Sequence, residues 1–370
     1  MIRKKVCYII SDIDKAVFFE LTAKQLCKHV GLSFILINSK NSALSTFLKT
    51  LEIPVYHISC PSILRSTRSI MQIRRILRNM KPDCIHCHLA HANWTGLIAG
   101  SLSGIKQRIY TRHSGKPLQW NWKEAIIDFT QNRLATDIIA ISRNIEHLLL
   151  EQKVPASKIH LIYHGFNTTR FANPDPQIIA DLRKKYNPEN QYPLIGVIAR
   201  NVPWKGTYYT LQAFTQLLKS HPNAKICLFG GHYTSMDSIW DTLCEIPERN
   251  KQIIDFEPAV FDIYSLFDVY VHVPVNPSCE AFGQTYVEAI MSNTPSVFTL
   301  SGIAPEIVIH KQNAYVVPFK NAEEILQGIS YWLNQTSTKK VNDPELQAKI
   351  NDMFSMKRYL DSLLKIYKPD

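Results

Sequence analysis

The chain has no apolar run that approaches the 18 or so residues of a membrane-spanning helix. Its start, "MIRKKVCYIISDID", has a basic head, but the apolar run stops at Ser11-Asp12. That is too short for a secretory leader and reads as a first β-strand. The eight cysteines follow no disulfide-like rhythm, so the expectation is reduced thiols in a cytoplasmic protein. No repeat with a period of about 20–50 residues is present, which removes solenoids and arrays. No recognised nucleic-acid motif accompanies the positive charge, and nucleic acid is not expected as a partner.

What is there is an ordinary globular composition. The 370 residues are 45% hydrophobic and 20% charged, enough for two domains. Charge is uneven. Met1–Arg170 holds 24 lysines and arginines against 10 acids, a net of +14, and Phe171–Asp370 has 18 against 21. A basic first half suits an anionic partner, such as a membrane surface or a phosphorylated substrate.

The first half alternates apolar runs ("VCYII", "SFILIN", "DCIHCH", "RIYTRH", "DIIAIS", "IHLIYHG") with helical stretches such as "FFELTAKQLCKH" and "WTGLIAGSLSG". Continuous apolar runs are what buried parallel strands require. After the Pro- and Asn-rich "FANPDPQIIADLRKKYNPENQYP", read as a linker with one short helix, a second series follows: "LIGVIA", "AKICLFGG", "QIIDF", "VYVHVP", "PSVFTL" and "AYVVPF". The expectation is an α/β protein of two doubly wound Rossmann-like domains, residues 1–185 and 186–345. A C-terminal helix within 346–370 would pack back on the first. Ligands of such sheets meet the carboxyl ends of the strands, here in a cleft between the domains.

Several segments of the second domain carry chemistry. Arg200 and Lys205 flank the loop after "LIGVIA", where two cations suit a diphosphate or, more blandly, are solvated. In "PSCEAFGQTYVEAI", Glu280 and Glu288 lie eight residues apart around Phe282-Gly283. A helix from about Gln284 to Ser292 would offer free N–H groups to an anion at its start. Glu288, one turn in, could accept from both hydroxyls of a ribose.

These segments together resemble the retaining glycosyltransferases of family 4, which have the two-Rossmann GT-B fold. "ARNVPWKG", "FGG", "EAFGQTYVEA", "TPSV" and "SGIAPEIV" carry the match; "IHCHLAHANWTGLIAG", "IYTRHSG", "AISRNIEHLL" and "IYHGFNTTRF" extend it more loosely. It covers most of residues 83–320. The Glu-x7-Glu pattern about 80 residues after Arg-x4-Lys is its specific part. The resemblance implies that Glu288 binds the nucleotide ribose and Glu280 lies near donor-sugar hydroxyls. Arg200 and Lys205 would neutralise the departing diphosphate. The N–H groups around Phe282, Gly283 and Gln284 would line the sugar-phosphate site, and His113 would be the active-site histidine. The chain departs from the family in three places. "SDIDKAVFFE" replaces the Gly-rich loop after the first strand, His164-Gly165 stands where Asn-Gly is common, and Ala199 stands where glycine is usual.

Three first-half motifs stay open. Asp12-x-Asp14 reads as a polar loop, an acceptor contact or, least, a metal site. "DCIHCHLAH" crowds Cys84, His86, Cys87, His88 and His91 on one strand end. That favours a core strand with His88 or His91 near substrate over a zinc site, whose ligands converge from separate elements. Arg65–Lys81 has six cations and no acid. It reads as a sheet-covering helix with Arg74, Arg75 and Arg78 in water, a face that could also meet anionic lipid.

The expectation is a retaining transferase that moves a sugar from a UDP- or GDP-type nucleotide-diphospho-sugar to a hydroxyl acceptor. The acceptor would be a saccharide or a lipid-linked glycan, with no obligatory cofactor or metal and peripheral membrane attachment. The alternatives are an epimerase or phosphorylase-like enzyme on the same fold, or a silent sugar-nucleotide-binding protein.

Overall fold

The computed structural model describes residues 3–14, 17–63, 66–115, 122–234, 239–335 and 344–367; Arg65 of the basic segment lies outside them. The chain divides into two compact units. Unit 1 is Met1–Phe166 with Phe354–Asp370, and unit 2 is Asn167–Met353.

Unit 1 is built on seven parallel strands: β1 (Lys5–Ser11), β2 (Gly31–Ile37), β3 (Val55–Ile58), β4 (Cys84–His88), β5 (Gln107–Arg112), β6 (Asp137–Ala140) and β7 (Ile159–Leu161). Their order is β3-β2-β1-β4-β5-β6-β7. All of β1 after Lys5 and all of β4 are buried, as a sheet covered on both faces demands. Unit 2 repeats the plan with β8 (Leu194–Ile198), β9 (Lys225–Phe229), β10 (Lys251–Ile254), β11 (Val269–His272), β12 (Ser296–Phe298) and β13 (Tyr315–Val316). Its order is β10-β9-β8-β11-β12-β13, all parallel. Ile195, Val197, Leu211, Phe214, Leu228 and Val271 fill its core. Both are Rossmann-like sheets. In each, strand order reverses beside the first strand, at β1/β4 and at β8/β11, where side chains at the carboxyl ends are left open to a ligand.

The boundaries fall at 166/167 and 353/354, where sequence composition suggests 185/186 and 345/346. The linker segment closes on unit 2. The Asp175 N–H donates to buried Asp262 (2.6 Å), and at the end of the helix Pro176–Tyr186 the Tyr186 hydroxyl donates to Glu257. The last helix, Met356–Tyr367, completes unit 1, with Leu363 and Tyr367 fully buried.

Candidate functional site

In unit 2 the site gathers at the β8/β11 switch point. After β8 the chain makes a short 3-10 turn, Pro203–Lys205, and Gly206 opens the helix Thr207–Ser220 at φ +75°. A Cβ on Gly206 would lie 1.9 Å from the Val273 carbonyl oxygen. Glycine is therefore obligatory here, and its close approach holds Lys205 against the end of β11. The Lys205 ammonium meets Glu280 Oε1 at 2.5 Å, and His272 Nε2, at the end of β11, meets the same oxygen at 3.0 Å. The Glu280 N–H donates to Ser301 Oγ (3.1 Å). Arg200 is exposed, and its side chain makes no ion pair among the described residues.

The two glutamates of the motif have opposite electrostatics. Burial pushes the Glu280 pKa up, but the His272 hydrogen bond and the Lys205 charge outweigh it and hold the carboxyl at about 2. Glu280 is therefore a buried anion with a cation attached. His272 is pushed below the ordinary histidine value by burial, against the pull of Glu280. It is thus neutral, donates from Nε2, and leaves Nδ1 buried without a partner among the described residues. Glu288 is also buried, on the helix Gln284–Met291 that follows Gly283. Among the described residues its carboxylate meets only neutral donors, the Tyr264 hydroxyl at 2.6 Å and the Gln284 amide at 2.7 Å. Burial raises its pKa, and those two hydrogen bonds only temper the rise. One hydrogen bond to each oxygen leaves lone pairs for two more donors. Phe282 is buried, and its carbonyl accepts from the Ile303 N–H (2.8 Å), which ties the motif to the loop before the helix Ala304–Ile307.

In unit 1 the structure brings His88 and His113 together. His88 Nδ1 lies 3.0 Å from His113 Nε2, and His164 stacks on Phe18 with its ring tilted against His113. His86, one pleat back, sits between the Tyr367 hydroxyl (2.5 Å) and Thr111 Oγ1 (2.8 Å). Desolvation dominates all four. His86 falls to about 3 and His113 to about 4, both by desolvation, and His88 and His164 are pushed down for the same reason. The cluster is neutral at ordinary pH.

The Asp-x-Asp pair does not act together. Asp12 accepts from Asn38 (2.8 Å) and pairs with His91 (2.5 Å), whereas Asp14 accepts from the Ala43 N–H (3.0 Å). Among the described residues no three histidine, cysteine or acidic side chains converge as a metal set. On the helix Thr67–Met80, Ile73 and Leu77 face the core. Arg75 and Arg78 are exposed, and Arg74 donates to the Leu102 carbonyl (3.2 Å). Sequence reasoning missed His272 and Tyr264. The one available signal for His272 is an imidazole interrupting the apolar run "VYVHVP" eight residues before Glu280.

Residues 179–350 match the family described as Glycosyl transferases group 1, and residues 46–170 match Glycosyltransferase Family 4. The chain is similar to a capsular polysaccharide biosynthesis glycosyltransferase, CapM, of Staphylococcus aureus (21% identical over 315 residues, 83% of this chain and 82% of that one). It is also similar to the phosphatidylinositol N-acetylglucosaminyltransferase GPI3 subunit of Saccharomyces cerevisiae (21% over 326 residues, 85% and 70%). The crystal structure of Anabaena HepE in complex with UDP-glucose superposes with a TM-score of 0.83 at 19% identity, covering 98% of this chain and 99% of that one. That likeness shows the fold, GT-B.

Proposed function

The chain belongs to the group 1 glycosyl transferases, and from that premise we propose that it transfers a sugar, with retention, from a UDP- or GDP-type nucleotide-diphospho-sugar to a hydroxyl acceptor. Unit 2 holds the donor. The observation that carries this reading is the triad of Lys205, Glu280 and His272 at the switch point, with the buried Glu288 one turn into the helix that follows the motif's glycine. Glu288 accepts from the ribose hydroxyls. Glu280 spends one oxygen on aiming Lys205, whose remaining N–H donors join Arg200 and the N–H groups at Phe282, Gly283 and Gln284 around the diphosphate. Negative charge grows on that group as the glycosidic bond breaks, and donors already in place stabilise it without reorganising.

In unit 1, His113, which shares a hydrogen bond with His88, is the active-site histidine of this reading. No metal is required in this scheme. Unit 1 takes the acceptor, with Asp12, Asp14 and His91 beside it. Its net charge of +15, from 27 lysines and arginines against 12 acids, supports an anionic saccharide or lipid-linked acceptor at an anionic surface, with Arg74, Arg75 and Arg78 contributing. The activities named for the staphylococcal and yeast relatives support glycan or glycolipid assembly.

A thermal-shift screen of the purified chain against UDP, GDP, ADP and their sugars tests the donor, because a ligand of the folded state raises the transition. Retention is read from the anomeric configuration of the product. Nucleotide release without any acceptor points instead to an epimerase, and donor binding without turnover to a silent binding protein.

A further inference from the structure

The helix Trp122–Leu134, "WKEAIIDFTQNRL", is turned inside out. Trp122, Ile126 and Phe129 are 69%, 52% and 68% exposed. At 100° per residue they fall on one stripe with Arg133, within about 60° of arc. The residues it buries are Gln131 and Asn132. Polar bonds hold this inner side. Asp128 takes both ends of the buried Arg112 guanidinium, at 2.5 and 2.8 Å. Gln152 bridges Asp128 (2.9 Å) to Asn132 (3.0 Å), and the Tyr110 hydroxyl donates to Asn132. A water-facing helix buries its apolar side; the helix Thr67–Met80 of the same unit does so with Ile73 and Leu77. Here the sheet takes the polar side and the apolar side is left outward.

The surroundings of that stripe are basic. Ala125 and Phe129 form part of the wall of a depression that Arg108, Arg133, Lys153 and Lys158 also line. Arg108 and Lys158 tie down carbonyls at the end of the helix, Leu134 and Ala135 (both 2.8 Å). The acid of the depression, Asp128, is committed to Arg112. An aromatic and aliphatic stripe beside a cationic rim, on a unit of net charge +15, matches one kind of surface by both shape and sign. Ring side chains enter the boundary between headgroups and acyl chains, and the cations meet anionic headgroups.

We propose that the outer face of the helix Trp122–Leu134 docks unit 1 on an anionic lipid bilayer, with Trp122, Ile126 and Phe129 inserted at the interface and Arg133 and Lys153 on the headgroups. The docking needs neither donor nor acceptor, so it stands or falls apart from the transferase reading.

The test is sedimentation of the full chain with phosphatidylcholine vesicles, with and without phosphatidylglycerol. The parent chain is expected to sediment with the anionic vesicles and hardly with the neutral ones. High salt weakens but does not abolish binding, because part of the contact is apolar. Ile126→Glu with Phe129→Glu should lower the partition at least about tenfold, the cost of withdrawing roughly one large apolar side chain from an apolar phase. Its thermal transition should match the parent's. If the double variant shifts that transition, Phe129→Ser supplies the same comparison. Brominated lipid should quench the fluorescence of the parent, and Trp122→Phe should remove most of that quenching. Parent and variants that sediment alike, or a parent that ignores anionic vesicles, overturn the proposal. So does a dimer in light scattering that Phe129→Glu converts to monomer without any vesicle binding, which would give the face to a second copy of the chain.

Discussion

The two units share a strand order and differ in nearly everything polar. Unit 1 carries +15, buries His86 and His88 and half-buries His113 and His164, and desolvation pushes all four towards the neutral form. Unit 2 carries 15 lysines and arginines against 19 acids, and keeps a charged pair under cover at Lys205–Glu280. The open ends of β1/β4 and β8/β11 are equivalent places in equivalent sheets. Burial penalises an ion at either place; what decides its charge is whether a partner of opposite sign lies within hydrogen-bond distance. One scaffold thus offers a neutral, hydrogen-bonding site in unit 1 and a charge-stabilising site in unit 2.

The sharpest break in that contrast is Lys205→Ala. Turnover is expected to fall about 10²–10³-fold, as when one preorganised donor to a developing charge is lost. Unfolding of unit 2 should also ease by up to about 3 kcal/mol, because a buried carboxylate loses its cation. Steady-state kinetics and denaturant melts read the two effects separately, and unchanged turnover would reduce the pair to a structural brace. Arg200→Ala should lower turnover in the same direction.

Next in size is Glu288→Ala. A methyl cannot accept from a ribose, and about 1.5–3 kcal/mol of donor affinity should disappear in calorimetry. Equal affinity would remove Glu288 from the donor site.

Acid sharpens the comparison further. The folded value of His86, about 3, lies below its ordinary 6.5, so the unfolded chain takes the proton first. This stability is complete above pH 6.5 and drains as pH falls towards 3; at pH 5 the loss from His86 is roughly 2 kcal/mol. Glu280 is held low instead, so its contribution is complete above the ordinary 4.5 and is lost only as pH falls through about 2. His272 pulls unit 2 the same way as the unit 1 histidines, but it is one imidazole against four. Hydrogen exchange at stepwise lower pH should show unit 1 losing protection first, and the reverse order would break the comparison. The smallest expected effect is on stability from Phe129→Ser, within about 0.5 kcal/mol, since that ring is 68% exposed.

Most strands were legible because buried parallel strands are continuous apolar runs. β3 was not, since Val55–Ile58 is only partly buried and breaks that rule. The pairing of Lys205 with Glu280 spans 75 residues, a separation no local pattern reaches; their shared place at strand carboxyl ends suggested a common site, and the resemblance gave each a role in it. Tyr264 and His272 are core residues with their polar atoms turned to the two glutamates, a pairing across the fold that no local pattern announces. Periodicity applied to "WKEAIIDFTQNRL" puts Trp122, Ile126 and Phe129 inward. The structure reverses this because the Arg112–Asp128–Gln152–Asn132 network claims the inner side.

The return of residues 354–367 to unit 1 bears on how the protein is made. A ribosome delivers β1 to β7 first, yet their sheet lacks Phe354, Leu363 and Tyr367, all essentially inaccessible in the finished unit. Tyr8 and His86 wait for the Tyr367 hydroxyl, which bonds both. Unit 2 is one continuous stretch of chain and can close as soon as Met353 emerges. The unit translated first is therefore the one completed last. Its nascent form carries an open apolar slot through the synthesis of some 190 further residues, and a separately supplied peptide of the last helix would be the natural molecule to fill it.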